Sequence, residues 1–352
     1  MTAFKFGIVP FPADPMSAID ASIFAERCGF DSVWIPDSFV DVWPPAGLNP
    51  WVVLAAVAVK TNRITLGTGV TDTQRNHPSR TAQLVATLDV VSHGRARLGI
   101  GAGEAMHIAA FGLPWESPQD RISRLDETIK VIRLLWTSSA GSPVSFDGSY
   151  YHLSNAFLSQ PPKQKPHPPI YVGVLHSIRG LELVGREGDG WYSWLNTPQT
   201  FQKCWRVIKE AASSASRKNL REIEPWSNLM IAFPRNSKEE KSAILSAKTV
   251  LLVERAALAS FGYAESRNLE HHQNIHATST SVHALTRQAQ ILPDEYAYRV
   301  AAIGTDGVNE KIEEFAKVGL RNFALVDLLA PQTMKRSIKT AGRVIRQYKK
   351  QL

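Results

Sequence analysis

The sequence predicts an α/β fold, a closed (β/α)8 or TIM barrel with insertions, and three observations carry that reading. Short apolar runs alternate with longer amphipathic segments along the chain, as strand–helix units around a parallel sheet require. Eight such units can be counted, the number that closes a barrel. The competing open, doubly wound sheet calls for a GxGxxG joining a strand to a helix with an acid about twenty residues on. The chain offers no such join.

The units follow in order. "FKFGIVPF" precedes a helix from Pro15 to Gly29, "DSVWIPD" one over 49–60, "RITLGTGV" one over 78–92, and "ARLGIGAG" one over about 118–136. In the second half "PIYVGV" leads into 178–187, "GWYSW" into 198–215, "SNLMIAF" into a helical region, and "NFALVD" into 331–350. A bare barrel needs about 250 residues, so 352 residues leave a surplus, read as insertions within a single domain over 1–352. One is a hairpin near 143–153, where Asp147-Gly148 between alternating apolar positions signals a tight turn. The other is a polar, largely helical excursion over 236–300 without clear strands, after which "NEKIEEFAKVG" (309–319) supplies the outer helix before the eighth strand.

Composition narrows the classes. With 44% hydrophobic and 20% charged residues the chain is an ordinary globular protein. No apolar run approaches the ~20 residues of a membrane span, and the first residues enter a strand pattern at once, so the chain is read as cytoplasmic. Cys28 and Cys204 form no CxxC or Cys/His cluster and are expected to be buried structural thiols. "HHQNIH" (271–276) invites a metal reading but has no carboxylate cage, so no metal is expected. The net charge of +8 gathers in residues 334–352, which hold seven Lys or Arg and no acid. A solvated helix face explains this, with attraction of an anionic ligand as the alternative. Nucleic acid as a partner would want interleaved aromatics, which Tyr348 alone does not supply.

Barrel enzymes build their sites at the C-terminal strand ends. There stand Pro10, then Asp37 and Ser38, then Gly69 and Val70, then Glu104, then Gly173 with His176 and Ser177, then Ser193 and Trp194. Glu104 and Asp37 are placed at one mouth. The motifs "GFDSVWIPD", "TNRITLGTGVTDTQRNHPSRTAQLVATLD", "GRARLGIGAGEA", "YVGVLHSIRGLELVGREGDGWY" and "GTDGVNEKIEEFAKVGLRNFALVD" lie within residues 29–192 and 304–327, a span of more than half the chain. In these motifs the sequence resembles the bacterial luciferase-like superfamily, and within it the branch that uses the 5-deazaflavin coenzyme F420. That branch includes glucose-6-phosphate and secondary-alcohol dehydrogenases, methylenetetrahydromethanopterin reductases and phthiodiolone ketoreductase-like enzymes.

The resemblance implies hydride transfer between F420 and a carbonyl, alcohol or C=N substrate, with Glu104 in the "GxGE" turn acting in proton transfer and Asp37 beside it as the second catalytic residue. The chemistry agrees, because the alkoxide or amine left by hydride transfer needs a proton that a partly buried glutamate with a raised pKa can give. The structural alternative is a helix-start acid held by the helix dipole. The resemblance also implies a non-prolyl cis peptide at Gly69–Val70 under the cofactor ring, and a homodimer. Gly173, His176, Ser177, Arg179 and Trp194 are the expected cofactor contacts. Ser38, Trp43 and His107 are the expected substrate contacts, although a surface position for His107 competes with that role. Among Trp34, Trp43, Trp51, Trp191 and Trp194, the second and last are favoured to wall a substrate over core packing.

The chain departs from its relatives in three places. It has Asp37-Ser38 where the dehydrogenases have Asp-His, Val9 where the reductases carry an acid, and a longer "GVLHSIRG" after strand five. The substrate class therefore stays open. An FMN-dependent monooxygenase and a non-catalytic cofactor-binding barrel are the alternatives, since the same mouth accepts either ring.

Overall fold

In the computed structural model, which describes residues 3–11, 14–40, 47–215, 222–263 and 279–349, eight parallel strands close into a barrel. They are β1 Lys5–Val9, β2 Ser32–Ile35, β3 Thr65–Thr68, β4 Ala96–Gly101, β5 Ile170–Gly173, β6 Gly190–Ser193, β7 Glu224–Ala232 and β8 Asn322–Asp327. Each pairs with its neighbour in chain order. β8 returns to β1 with Lys5 opposite Asn322, and β6 meets β7 with Glu224 opposite Gly190.

The outer helices begin where a capping side chain precedes proline. Asp14, Asn49, Ser117 and Thr197 each accept a first-turn amide and stand before Pro15, Pro50, Pro118 and Pro198, which start the helices Pro15–Cys28, Pro50–Ala58, Pro118–Thr137 and Pro198–Ser214. The cap satisfies an orphan donor, and proline at the first position loses no hydrogen bond. Gly29, at φ 95°, ends the first helix in the left-handed conformation that an L side chain resists.

The two faces of the strands feed two cores. Outward residues such as Phe6, Ile8, Val33, Ile35, Leu66, Leu98, Ile100 and Val172 pack under the helices. Inward residues Trp34, Tyr171, Tyr192, Trp226 and Met230 fill the barrel and continue into the helices after β7. The fully buried Trp34 ring lies 4.7 Å from Tyr192, 5.2 Å from Tyr171 and 5.6 Å from Trp226. Glycines face these rings because nothing larger fits: a Cβ on Gly67 would stand 2.4 Å from the Trp34 ring and one on Gly190 2.2 Å from Tyr171. At the N-terminal end of the barrel Glu224 binds Lys5, Arg97, Tyr171 and Trp226, and these partners outweigh its burial and hold its carboxyl down at about 2. That network closes the end opposite the candidate site.

Two expectations change. The insertion hairpin pairs Val144–Asp147 with His152–Ala156, and Asp147 faces His152, so four residues rather than two make the turn. Glu127 on the neighbouring helix accepts the amides of Ser149 and Tyr150 at 2.8 and 2.9 Å, which holds the wider loop open. The helix before β8 begins at Gly304, five residues before Asn309, directly after a short strand Ala301–Ile303 that pairs with β7. Trp34 and Trp191 are fully buried core residues, and Trp51 packs against the outer core. Trp43 and the His-rich segment 271–276 lie outside the described residues.

Between β7 and the short strand Ala301–Ile303 the described helices are Ser237–Val253, Arg255–Ser260, Ser279–Ile291 and Asp294–Val300. Among the described residues no helix is long and apolar enough to cross a membrane. Both cysteines are buried free thiols.

Candidate functional site

The β4 strand delivers the acidic turn. After Gly101 the chain passes through Gly103, at φ 84°, where a Cβ would strike Ile108 at 2.3 Å. This left-handed step leads into Glu104, which stands at the N-cap of the short helix Ala105–Ile108 beyond the end of β4. Glu104's side chain is half exposed, more open than a partly buried acid. Its Oε2 lies 3.5 Å from Nε2 of His107. His107 is buried at 7% exposure, which corrects the expectation of a surface histidine, and its Nδ1 has no hydrogen-bond partner among the described residues. The helical i,i+3 spacing puts the imidazole under the carboxylate.

Asp37 reaches the same place from the β2 end, but it is already engaged. Thr71 Oγ1 donates to its Oδ2 at 2.5 Å, Arg75 Nη1 stands 3.3 Å from its Oδ1, and Arg75 also binds the Asp37 carbonyl and the Asp72 carboxylate. All three charged side chains are at most 10% exposed. Burial raises the Asp37 carboxyl above the ordinary carboxylate value, with Arg75 and Thr71 acting in the opposite direction. His107 is near enough for its charge to act on Asp37 as well. Glu104, His107 and Asp37 therefore form one cluster, with the histidine between the two acids. Arg75 also lies 4.6 Å from the Phe39 ring centroid, and Phe39 meets Phe111 at 4.5 Å, so two half-exposed aromatic rings border the charged cluster. Ser38 sits beside them, partly buried.

The Gly69–Val70 peptide is cis. The Val70 side chain turns inward and occupies the space where Gly99, Gly101 and Gly173 lack a Cβ, at 3.0 to 3.1 Å from the atoms those residues would otherwise carry. The small residues around "GIGAG" thus make room for a valine side chain and, at Gly99, for the Thr68 carbonyl.

Across the mouth, His176 Nε2 pairs with Asn196 Oδ1 at 3.4 Å, tying the β5 end to the β6 end. Burial lowers the His176 pKa below the ordinary imidazole value, with the Asn196 hydrogen bond pulling the other way. Ser177 caps the helix Ile178–Glu187 by accepting the Gly180 amide. Ser177 and Arg179 are exposed at this helix start, where the amides of Ile178 and Arg179 lack intrahelical acceptors. Trp194 is partly buried against the inner core.

Two features escaped the sequence. Arg75 and Asp72 form an i,i+3 pair directly after β3, a signal that was present but masked by the polar run "TDTQRN". The other is Glu254, the lone acid in the apolar stretch "TVLLVERAAL", whose Oε2 is shielded from solvent without a hydrogen-bond partner among the described residues. Burial first, and then the negative charge of Glu104, push its carboxyl up to about 8. Among the described residues no group of three or more His, Cys, Asp or Glu could hold a metal ion.

Known proteins share this architecture. An F420-dependent secondary alcohol dehydrogenase in complex with an F420-acetone adduct superposes with a TM-score of 0.82 over 99% of both chains, at 23% identity. The coenzyme F420 dependent tetrahydromethanopterin reductase from Methanopyrus kandleri gives 0.81 over the same shares, also at 23% identity. In sequence, an F420-dependent glucose-6-phosphate dehydrogenase of Amycolatopsis mediterranei is 34% identical over 231 residues, 64% of this chain and 67% of that protein. The match thus spans about two thirds of the dehydrogenase. The phthiodiolone/phenolphthiodiolone dimycocerosates ketoreductase of Mycobacterium tuberculosis is 30% identical over 321 residues, 87% of this chain and 82% of the ketoreductase. A family model described as luciferase-like monooxygenase matches residues 12–322. With that match over most of its length and the barrel described above, the chain belongs to the luciferase-like monooxygenase family.

Proposed function

We propose that the protein is an F420-dependent oxidoreductase that moves a hydride between the deazaflavin and a carbonyl, alcohol or C=N substrate. The observation that carries this reading is the Glu104–His107–Asp37 cluster at the mouth of a barrel whose relatives by sequence and by fold are named as F420-dependent enzymes or as a ketoreductase.

The residues present suit an anionic, flat cofactor. At the helix start Ile178–Glu187, unpaired amides, the Ser177 hydroxyl and the Arg179 guanidinium supply donors for a phosphate. Val70, Gly173, His176 and Trp194 form the wall beside it, with the cis Gly69–Val70 peptide as its floor. When bound, the deazaflavin exchanges a hydride with the substrate carbon.

The protein's own task is the matching proton. Glu104, open to the mouth, gives a proton to the oxygen or nitrogen left negative in the reduction direction, or takes one in oxidation. His107 supports it from below, and Asp37 is held too firmly by Arg75 and Thr71 to move protons itself. Its role is to fix His107 and the floor of the site. Ser38, Phe39 and Phe111 border the substrate space, which suits a ligand with an apolar portion. A homodimer, which rests on the family resemblance, of single-domain protomers in the cytoplasm belongs to the same reading.

Titration with F420, FMN and NADP at matched salt tests the proposal. Saturable binding of F420 at the lowest concentration is expected. Tighter binding of FMN would favour the monooxygenase reading, which the family's description supports.

A further inference from the structure

Two aromatic rings at the mouth stay half exposed although the backbone beneath them is fixed. Phe39, two residues beyond Asp37 on the loop after β2, is 50% exposed. Phe111, which ends the 3-10 turn Ala109–Phe111 after the short helix Ala105–Ile108, is 52% exposed. Arg75 donates to the Asp37 carbonyl, and Gly47 lies so close that a Cβ on it would stand 2.2 Å from the Phe39 carbonyl oxygen. On the other loop the amides of Gly112 and Leu113 donate to the carbonyls of Ala109 and Ile108 at 3.1 and 3.2 Å, and Gln74 donates to the Pro114 carbonyl at 3.1 Å. The exposure is therefore that of rings carried on an ordered backbone.

The rings also meet. Their centroids are 4.5 Å apart and their planes are tilted by 53°, so the pair bridges the loops after β2 and β4, the strands on either side of β3. From the loop after β3 the Arg75 guanidinium lies 4.6 Å from the Phe39 centroid, within reach of a cation–π attraction. Its charge is already matched by Asp37 and Asp72, so it offers little to an anionic ligand. Glu104 stands before the four helical residues and three 3-10 residues that end at Phe111, which at about 1.5 and 2 Å each put the two on the order of 10 Å apart. Asp37 and Ser38 lead directly into Phe39. An apolar surface thus stands one short ligand's length from Glu104, the arrangement of an exposed patch that a ligand covers.

We propose that Phe39 and Phe111 form an aryl subsite, so that the substrate is an uncharged ketone, or the matching secondary alcohol, with an aromatic ring within a few bonds of the reacting carbon. Two tilted rings in contact present an edge and a face together, and a third ring set against them gains stacking energy beyond the area it buries. This substrate class deepens the oxidoreductase reading and rests on it, whereas the binding of an aryl group at the rings does not.

The probes are 4-phenylbutan-2-one and butan-2-one, which differ by the phenyl group, each titrated calorimetrically into the protein with and without F420. The parent should bind the phenyl ketone at least about tenfold more tightly. Phe39→Ala and Phe111→Ala should each cut that ratio by about threefold or more. Phe157→Ala, which removes a 44% exposed ring directly after the insertion hairpin, should leave it unchanged. Should either Ala variant not fold, the Leu variant at that position takes its place, since it keeps most of the apolar volume and removes the ring. No preference in the parent, with or without F420, would overturn the subsite. So would a preference that survives both mouth substitutions, or one that falls equally in Phe157→Ala. At saturating F420 the same mouth substitutions should lower kcat/KM for the phenyl ketone more than for butan-2-one, by about the factor seen in binding. Turnover of both ketones without preference would overturn the subsite and leave the oxidoreductase reading standing. A parent that binds the phenyl ketone through these rings but neither binds nor turns over F420 would defeat that reading and leave the aryl subsite standing.

Discussion

Glu104 and Glu254 show how one residue type serves two purposes in two environments. Glu104 is half exposed with His107 3.5 Å away, whereas Oε2 of Glu254 is shielded from solvent with no hydrogen-bond partner among the described residues. Glu104→Gln keeps the shape and a hydrogen-bonding amide but cannot release a carboxyl proton. Turnover at saturating F420 should fall by ~10²-fold or more while cofactor affinity stays within about twofold, the loss expected of a positioned proton donor. Equal rates in variant and parent would remove its role. For Glu254 the consequence is for stability. Its carboxyl sits at about 8 in the folded chain against an ordinary 4.5. A raised folded pKa contributes stability that is complete below the unfolded value and lost as pH rises through the folded one. The parent should therefore weaken between about pH 4.5 and about pH 8 through this group, and Glu254→Gln should not. The variant's advantage in denaturant midpoint should be near zero at about pH 4, grow to a few kcal/mol at most by about pH 8, and then level off. A constant difference across that range would show that Glu254 is ionised in the folded protein. Glu104 was legible in the sequence because a glycine-flanked acid at a strand end has a local signature. His107 was legible as a neighbour but not as a buried one, since the burial of a side chain on a four-residue helix is set by elements distant in sequence.

At the scale of elements, the strands carry a signal on both faces. Their outward residues are large and apolar, and their inward ones alternate between glycine and an aromatic ring, as where Gly67 accepts Trp34. The outward face made the barrel legible. The inward fit of Val70 over Gly99, Gly101 and Gly173 did not show, because it joins residues from three strands that no local pattern relates. The helix Ile178–Glu187 was legible in position: Ser177 caps it, and Arg179 is exposed in its first turn. If that helix start holds the cofactor phosphate, Arg179→Ala should weaken F420 binding by roughly 1 to 3 kcal/mol, the value of a charge-assisted hydrogen bond. Binding by the parent should weaken with added salt more steeply than binding by the variant, since a screened cation has been removed. Equal affinities and equal salt slopes would place the anionic tail elsewhere.

Across the whole molecule, the excursion after β7 resists reading from sequence for a physical reason. Within Ser237–Val253 the first turns are mostly exposed, but residues Ala243, Ile244 and Ser246 through Val253 are all buried, so from Ala243 onward the helix has no polar face from which a period could be recognised. A helix covered on nearly every side belongs to a core, and here that core is continuous with the barrel interior. Val9, Trp34, Tyr192 and Met230 from the strands and Leu251, Val253 and Leu258 from the excursion form one buried cluster. The excursion should then unfold with the barrel and not before it. Leu251→Ala tests this at a fully buried position within the cluster. The lost contacts and the cavity should cost about 2 to 5 kcal/mol. Helical signal by circular dichroism and fluorescence from the buried tryptophans Trp34 and Trp226 should shift together to lower denaturant, in a single transition for both proteins. An early helical transition, with tryptophan fluorescence unchanged until the parent's midpoint, would mean that the excursion folds independently. The wall that holds Glu254 would then be only as stable as the excursion itself.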